Sequence, residues 1–184
     1  MEKANQRLEK LLAFKKKLPY PVLGARVIGY TPPFCPAFIF IDRGAKDGVC
    51  LHCPIACNQG VIGQVVELSP HYAKVLLAVS SNSHIAVMSQ RSRAQGIFTG
   101  KGINQGEVLY VSTGGGMEKG DLLITSGLDG IFPKGLAVGR VVLTASEPSS
   151  LFQKVMVKTT TDFTKLEEVL VILKPPSIPF KKGK

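Results

Sequence analysis

The first eighteen residues place apolar side chains at helical spacing in an otherwise charged segment. The segment is rich in helix-forming residues and holds no Gly or Pro before Pro19, so it predicts a helix over residues 1–18. Its seam positions, at alternating spacings of four and three, are Ala4, Leu8, Leu11, Lys15 and Leu18. Two heptads are too few to hold two helices together alone. We therefore expect the end of a longer coiled coil, with Leu8, Leu11 and Leu18 in the interaction seam; a helix that packs on its own domain is the alternative.

Beyond Pro21 the pattern changes to short apolar segments, each bounded by Gly, Pro, Asn, Asp or Ser. They are rich in Val, Ile and Leu, which is typical of β-strands. The segments are GARVIGY, PAFIFIDRG, VIGQVVELS, AKVLLAVS, HIAVMSQ, AQGIFTGKG, GEVLYVS, DLLITSG, LAVGRVVLTAS, QKVMVKTT and LEEVLVIL. Their spacing is too short for the crossover helices of a parallel sheet, so antiparallel pairing is expected. The sequence predicts a mainly β fold with two small antiparallel β-barrel-like domains after the helix.

An internal echo indicates how this β region is divided. The segment VIGQVV at 61–66 matches AVGRVV at 137–142, and a glycine turn and a proline precede each. Two copies of one β unit predict two domains in tandem, at 22–93 and 94–174. The last strand is also able to pair back to the first domain. The proline-broken, basic segment at 175–184 is expected to be a loose tail.

The stretch TSGLDGIFPKGLAVGRV holds four glycines in a short span, which raises the question of a phosphate site. A P-loop needs Lys and Ser or Thr directly after its last glycine, and a dinucleotide site needs a following helix. Gly139 is followed instead by Arg-Val-Val, the start of a β-strand. We therefore expect these glycines to shape turns and close approaches rather than to bind phosphate. The glycines assigned to structural turns are Gly44, Gly48, Gly63, Gly127, Gly130, Gly135 and Gly139.

The formal net charge of +10 sits mainly at the two ends of the chain. Residues 1–17 and 174–184 hold most of the excess Lys and Arg, which leaves the middle close to neutral. Basic ends suit an anionic membrane surface or an acidic partner, whereas no basic-aromatic motif supports nucleic-acid binding. No apolar run approaches the roughly 18 residues that cross a bilayer, and no signal peptide opens the chain. We expect a soluble chain, or the soluble part of a longer one.

The residue types of a serine-hydrolase triad are present, but their contexts are not those of a triad. Ser126 follows an apolar strand, and His52, His71 and His84 lie upstream with several aspartates. Two β-barrels with these residues suggest a chymotrypsin-like serine hydrolase, active or degenerate, as one alternative. Ser126 lacks a flanking oxyanion motif such as Gly-Asp-Ser-Gly, and a triad is defined by geometry. We expect no catalytic residue.

The cysteines form the densest group of reactive side chains. Cys50, His52, Cys53 and Cys57 lie within the segment VCLHCPIAC, whose Cys-x-x-Cys spacing suits one half of a zinc site. A second half is missing, so a small zinc-binding adaptor is kept as a further alternative. A Cys50–Cys53 redox pair is possible in principle, and apolar packing, with Cys35 included, is the plainest interpretation. No metal or other cofactor is expected.

The charged residues inside the β region are expected to be solvated. Glu167 and Glu168 open an apolar strand, and Arg91 and Arg93 flank a turn between β units, where an anion contact is the alternative. Paired carboxylates suited to acid–base catalysis do not stand out. We therefore expect a protein that is not an enzyme.

Several motifs, in this order, are those of one bacterial protein family. They are IDRGAKDGV, GVIGQVVELSP, SRAQGIFTGKG, GDLLITSGLDGIFPKGLAVGRV, LFQKVMV and LEEVLVIL. From about Val27 to Leu173 the chain resembles the periplasmic region of the MreC family of rod-shape-determining proteins. The sequence differs from the family pattern in three respects. A transmembrane helix is not found in it, and the coiled coil is reduced to residues 2–18. The four cysteines are not part of the family motif.

This resemblance implies a non-enzymatic scaffold of the machinery that elongates the bacterial cell wall. Members of the family have a membrane helix, a dimerising coiled coil and two β domains at the periplasmic face of the inner membrane. The implied partners are a second copy of the chain, the elongation transpeptidase (a class B penicillin-binding protein), its partner glycosyltransferase, MreD and MreB. The resemblance also implies self-association of the β domains.

Overall fold

The computed structural model describes residues 1–31 and 37–173, and these form one N-terminal helix and two closed six-stranded antiparallel barrels. The mainly β fold predicted from the sequence is confirmed. Cys35 and the tail expected at 175–184 lie outside the described residues.

The helix α1 spans Glu2–Lys17 and ends where the sequence predicts. Glu2 lies in its first turn and three lysines lie in its last turn, so the charges at both ends complement the helix dipole. Leu18 has extended backbone angles, and Pro19 cannot continue the helix. Leu11 is buried and packs with the core of the first barrel.

Each barrel is a ring of six hydrogen-bonded strands. In ring order, the first barrel consists of β1 (Val22–Thr31), β12 (Glu168–Ile172), β3 (Pro54–Cys57), β4 (Gly60–Leu68), β5 (Ala73–Leu77) and β2 (Phe38–Ile41). The second consists of β7 (Gln95–Gly100), β6 (His84–Ser89), β9 (Leu122–Thr125), β10 (Ala137–Ala145), β11 (Phe152–Thr159) and β8 (Gln105–Ser112). A short 3₁₀ helix at Ala45–Asp47 precedes β3. Since both rings are closed, neither barrel exposes an unpaired strand edge.

The two rings have the same strand order when the second is read from β7, so the two halves of the chain have the same topology. Strands β1 to β5 correspond to β7 to β11 in sequence order. The sixth strand of each half lies in the other half's barrel: β6 pairs with β7 and β9, and β12 pairs with β1 and β3. The fold is therefore a tandem repeat whose two sixth strands are exchanged.

This exchange differs from the tandem division expected from the sequence. A boundary between residues 93 and 94 falls between the two repeats, β1–β6 and β7–β12, but it does not separate the two barrels. β6 lies in the second barrel, and β12 lies in the first. The physical reason is that each ring closes only when a sixth strand forms hydrogen bonds with the free edges of two others. In the first barrel β12 does so with β1 and β3, and in the second β6 does so with β7 and β9.

The strands of the internal echo, β4 and β10, occupy equivalent places in the two rings. Each carries a glycine with no room for a side chain: a Cβ on Gly63 would lie 2.0 Å from the carbonyl oxygen of Leu76. A Cβ on Gly139 would lie 2.5 Å from the carbonyl oxygen of Lys158. These two positions therefore require glycine for close approach to the neighbouring strand.

The barrels meet along the ends of β4 and β10. Thr161 Oγ1, in the segment that follows β11, donates a hydrogen bond to the carbonyl oxygen of Val61 on β4 at 3.3 Å. A Cβ on Gly60 would lie 2.2 Å from the carbonyl oxygen of Ala137, so the two backbones are in close contact. This junction fixes the outer faces of the two barrels relative to each other.

Candidate functional site

The outer face of β8, β11 and β10 in the second barrel exposes a group of apolar side chains that we call the apolar patch. Its members are Ile103, Tyr110, Val142, Leu143, Leu151, Phe152 and Met156. Leu151 is 82% exposed and Tyr110 is 67% exposed, which is unusual for such large apolar side chains. β11 lies between β8 and β10 in the ring, so the patch follows one continuous surface of sheet. Large exposed apolar side chains gathered on one surface of a sheet are typical of a protein interaction site.

An aromatic pair forms one end of the patch. The rings of Tyr110 and Phe152 meet edge to face, with their centroids 5.9 Å apart. The register between β8 and β11 shifts at this point, and Tyr110 has φ 62°, a left-handed conformation that is costly for a bulky side chain. Backbone strain of this kind occurs where function requires a particular side-chain direction, and here it presents the Tyr110 ring to solvent.

A shallow groove of about 430 Å³ forms the other end of the patch. Ile103, Val142, Leu143 and Met156 line it on its apolar side. Val142 and Leu143 are both exposed although they are adjacent in β10, because the register with β11 shifts between Val141 and Leu143. The bulge thus turns two consecutive apolar side chains outward.

Basic side chains border the patch. Lys154 and Lys158 alternate with Phe152 and Met156 on the outer face of β11, so Lys154 lies between the aromatic pair and the groove and Lys158 lies beyond Met156. Glu107 on β8 is engaged by Lys101, whose Nζ lies 3.2 Å from Glu107 Oε2. The arrangement suits a partner that offers an apolar surface with acidic groups at its rim.

The three leucines of the predicted helix seam occupy different environments. Leu11 is 8% exposed and packs into the first barrel, and Leu18 is half-buried against the same core. Leu8 is 42% exposed, and Leu12, which the sequence pattern did not select, is 57% exposed. A role for Leu8, Leu11 and Leu18 in contacts between chains stays a prediction.

Arg7 fixes α1 to the strand that closes the first barrel. Its Nε donates to Glu168 Oε2 at 2.6 Å, and its Nη2 donates to Glu167 Oε2 at 2.6 Å. Both glutamates were expected to be solvated: Glu167 is exposed, whereas Glu168 is largely covered by its pairing with Arg7, a partner too distant in the sequence to leave a local signal.

The side chains proposed for a hydrolase are not connected by hydrogen bonds among the described residues. Ser126 is buried, and its Oγ accepts a hydrogen bond from the amide of Leu128 at 3.3 Å. His52, His71 and His84 are all exposed, and the Nδ1 of His52 lies 3.4 Å from the Oε1 of Gln64. Among the residues that the structure describes, no hydrogen bond joins Ser126 to a histidine.

The cysteine segment forms a turn followed by the whole of β3, which ends at Cys57. The Sγ atoms of Cys50 and Cys53 are 2.7 Å apart, Cys50 is exposed, and Cys53 and Cys57 are buried. Burial raises the pKa of Cys53 to about 12, and it also raises the pKa of the Cys57 thiol. In the described part of the chain, no group of three or more His, Cys, Asp and Glu side chains is placed to hold a metal ion.

Arg91, expected in a solvated loop, holds a buried carboxylate. Its Nε donates to Asp121 Oδ1 at 2.8 Å, and Asp121 also accepts hydrogen bonds from Ser89 and from the amide of Glu118. Burial acts to raise the pKa of Asp121, but these hydrogen bonds and the charge of Arg91 outweigh it and hold the pKa below its usual range. The cluster ties the loop after β6 to the start of β9.

The sequence analysis missed the apolar patch as a site. Its members lie in four separate segments, and each one alone matches ordinary strand or turn composition. Two local patterns could have indicated it. One is the apolar pair Leu151 and Phe152 directly after a turn, and the other is the adjacent pair Val142 and Leu143, where a half-buried strand would alternate apolar and polar residues.

Within residues 1–31 and 37–173, no helix combines the length and the apolar character needed to cross a membrane.

Comparison with known proteins identifies relatives of the barrels and the helix. The family model described as rod shape-determining protein MreC, barrel core, matches residues 27–173. The cell shape-determining protein MreC of Caulobacter vibrioides is 30% identical, and the match covers 91% of this chain and 51% of that protein. The chain thus spans about half the length of the curated relatives it matches. A solved MreC structure aligns with a TM-score of 0.88 at 32% identity, covering 93% of this chain and 98% of the other.

Two more distant structures share the fold. One is the major periplasmic domain of the cell shape-determining filament MreC, with a TM-score of 0.69 at 22% identity over 82% of this chain and 94% of the other. The other is in a complex between penicillin-binding protein PBP2 and MreC from Helicobacter pylori, with a TM-score of 0.60 at 16% identity over 84% and 100%.

Proposed function

This chain belongs to the MreC family, and on that premise we propose that it is a non-catalytic scaffold of the bacterial cell-wall elongation machinery. In this role it binds the elongation transpeptidase, a class B penicillin-binding protein, and places it where wall synthesis maintains rod shape. The observation that carries the proposal is the apolar patch on the second barrel, where a strained tyrosine and neighbouring apolar side chains face solvent.

The patch has the features of a binding hot spot. Tyr110 and Phe152 are large, partly exposed and held in contact with each other, so little side-chain freedom is lost when they are covered. The neighbouring groove of about 430 Å³ offers a recess for an apolar side chain of the partner. Lys154 and Lys158 add a charged rim that favours correct orientation during association. The H. pylori relative, which has the same fold, forms a complex with a penicillin-binding protein.

Self-association is the second part of the proposal, and α1 supports it. Leu8 and Leu12 are four residues apart and exposed, so they form a short apolar stripe on α1. Two turns of such a stripe bind weakly alone, and an upstream coiled coil or contacts between barrels would add to it. One distant relative with this fold is described as a filament.

We place the chain at the periplasmic face of the inner membrane. The support is the family, one of whose solved members is a periplasmic domain. The basic residues of the first helix suit an anionic membrane surface. Binding to MreD, to MreB and to the partner glycosyltransferase is part of the same proposal and rests on the family resemblance.

The test is binding of this chain to the soluble ectodomain of the class B penicillin-binding protein of its own organism, at two salt concentrations. Phe152→Ser and Tyr110→Asn each remove one aromatic ring from the patch, and Asn tolerates the left-handed backbone at residue 110. We expect each to weaken binding at least about 10-fold, in line with the roughly 2 kcal/mol of a hot-spot side chain.

Tyr72→Ser is the matched control, because Tyr72 is an aromatic residue of the first barrel that is 49% exposed and lies outside the patch. It should leave the affinity unchanged. Equal loss of affinity in all three variants would reject the patch as the binding site. Binding by the unaltered chain that vanishes at the higher salt concentration would reject an apolar interface.

The absence of catalysis in this proposal is tested separately with a serine-reactive fluorophosphonate probe. We expect no labelling of the folded chain, since the Ser126 hydroxyl is buried and its described contact is the amide of Leu128. Labelling that disappears in Ser126→Ala would replace the scaffold proposal with a hydrolase.

A further inference from the structure

The turn between the 3₁₀ helix and β3 brings two thiols of different accessibility together. The amide of Cys53 donates to the carbonyl oxygen of Cys50 at 3.3 Å, which closes a four-residue turn. The Sγ atoms are 2.7 Å apart, and the amide of Cys50 lies 3.4 Å from the Sγ of Cys53. One sulfur belongs to an exposed residue and the other to a fully buried one.

The backbone holds the turn in this form independently of the thiols. His52, between the two cysteines, has φ 64°, and its amide donates to the carbonyl oxygen of Val65 at 2.9 Å. The amide of Val65 in turn donates to the carbonyl oxygen of Cys53 at 3.1 Å. This pair of hydrogen bonds joins the turn to β4, so the two side chains stay on the same side of the turn.

We propose that Cys50 and Cys53 form a thiol–disulfide couple, in which Cys50 reacts with an external disulfide and Cys53 completes an intrachain bond. The oxidant is a small-molecule or protein disulfide. The site does not depend on the apolar patch or on the proposed binding of a transpeptidase.

The reaction proceeds in two exchange steps. The Cys50 thiolate attacks one sulfur of the external disulfide, which forms a mixed disulfide and releases one thiolate. The Cys53 sulfur then attacks the Cys50 sulfur and forms the intrachain bond, and the proton of the Cys53 thiol passes to the second thiolate as it leaves. The two released thiolates take up two protons. Overall, two cysteine thiols are oxidised by two electrons and one external disulfide is reduced to two thiols.

The environments of the two sulfurs assign their order. Cys50 is accessible to a disulfide from solution, whereas Cys53 is 0% exposed. Burial also raises the pKa of Cys53 to about 12, so it remains a thiol near neutral pH while the first step occurs. The mixed disulfide on Cys50 is therefore expected to accumulate before the intrachain bond closes.

Cys57 provides an internal comparison. It lies in the same segment and is also buried, but its Sγ contacts the Oγ1 of Thr161 at 3.9 Å in the junction between the barrels. We expect Cys57 to take no part in the couple.

The experiment treats the reduced full chain with oxidised glutathione, quenches by alkylation at successive times, and measures intact mass. Every protein in the series, the reference chain included, carries Cys35→Ser so that Cys35 contributes no adduct. The reference chain should first gain one glutathione and then lose it, ending two hydrogens lighter with two thiols protected. Cys53→Ser should stop at one glutathione on Cys50, Cys50→Ser should form neither product, and Cys57→Ser should behave as the reference chain. Circular dichroism of each variant establishes that it is folded.

Three results would overturn the proposal. One is a reference chain that stops at the mixed disulfide or does not react. Another is an intrachain bond that still forms in Cys53→Ser, which would assign it to a different cysteine. The third is loss of the bond in a folded Cys57→Ser variant.

Discussion

Arg7 Nε lies 2.6 Å from Glu168 Oε2, so the first helix is paired with the last strand, 161 residues further along the chain. That strand, β12, closes the first barrel between β1 and β3. The N-terminal helix is therefore attached to the strand that the second repeat contributes to the first barrel. The strand exchange joins both ends of the described chain into one structure.

The exchange predicts that neither repeat folds alone. A fragment of residues 1–93 lacks β12, and a fragment of residues 94–184 lacks β6, so each barrel would keep two unpaired edges. We expect each fragment alone to give the circular dichroism of an unfolded or aggregated chain, and an equimolar mixture to regain β structure. Mixing should give a one-to-one complex by size-exclusion chromatography with light scattering. Two fragments that each show a cooperative thermal transition alone would contradict the prediction.

The helix is expected to depend on Leu11 for its docking. Leu11→Ala removes a side chain that is 8% exposed among the core of the first barrel, and such truncations cost about 2–5 kcal/mol at fully buried sites. We expect a loss toward the lower end of that range, together with faster hydrogen exchange in α1. Glu9→Ala, at an exposed position of the same helix outside the proposed stripe, is the control and should change neither quantity. Equal effects of the two variants would mean that α1 does not pack on the barrel as described.

Gly63 is expected to reject even a methyl group. A Cβ there would lie 2.0 Å from a backbone oxygen, so Gly63→Ala should lower the free energy of unfolding by about 1–3 kcal/mol or more, as overpacking does. Gly24→Ala is the matched control within a strand, because no heavy atom lies within 4 Å of its Cβ position. Urea denaturation of both variants measures the difference. A Gly63→Ala variant as stable as the control would refute the close packing of β4 on β5.

Asp121 is expected to make the stability of the second barrel sensitive to acid. Its pKa is lowered in the folded chain, so its contribution is present above the unfolded value of about 3.8 and is lost as the pH falls through the lower, folded value. Asp121→Asn should reduce stability at pH 7 by roughly 1–3 kcal/mol, since it weakens hydrogen bonds to a charged acceptor. The same variant should flatten the decline below about pH 4.

Urea unfolding at a series of pH values measures this effect. Arg91→Gln, which removes the cation that donates to Asp121, should reproduce part of the change. Asp162 also has a lowered pKa, chiefly because the hydroxyl and amide of Thr164 donate to it, so some decline should remain in Asp121→Asn. A decline as steep in Asp121→Asn as in the unaltered chain would contradict the assignment.

Local signals were sufficient for the strands and for the family. Alternation of apolar residues and the punctuating glycines depend on residues close in sequence, and the eleven predicted segments each overlap an observed strand. The strand β3 was not predicted, because its four residues are all buried and show no alternation. Gly63 and Gly139 occupy matching positions in the two repeated segments, and each strand lies too close to a neighbouring strand for a side chain at that position. The candidate site could not be predicted in this way, because Tyr110 and Phe152 are neighbours only across β8 and β11.

Local patterns in the sequence predicted the helix, all of the observed strands except β3, and two related β units in tandem. The pairing of the last strand with the first domain was an option in the sequence, whereas the placement of β6 in the second barrel came from the tertiary structure, because an edge strand with its backbone groups unpaired can accept any strand of suitable pattern. The tertiary structure likewise decided that Leu11 faces the barrel while Leu8 remains exposed, and that Arg7 meets Glu168. Hydrophobic periodicity specifies that a face is buried, whereas the partner that covers it is chosen by the closure and packing of the whole chain.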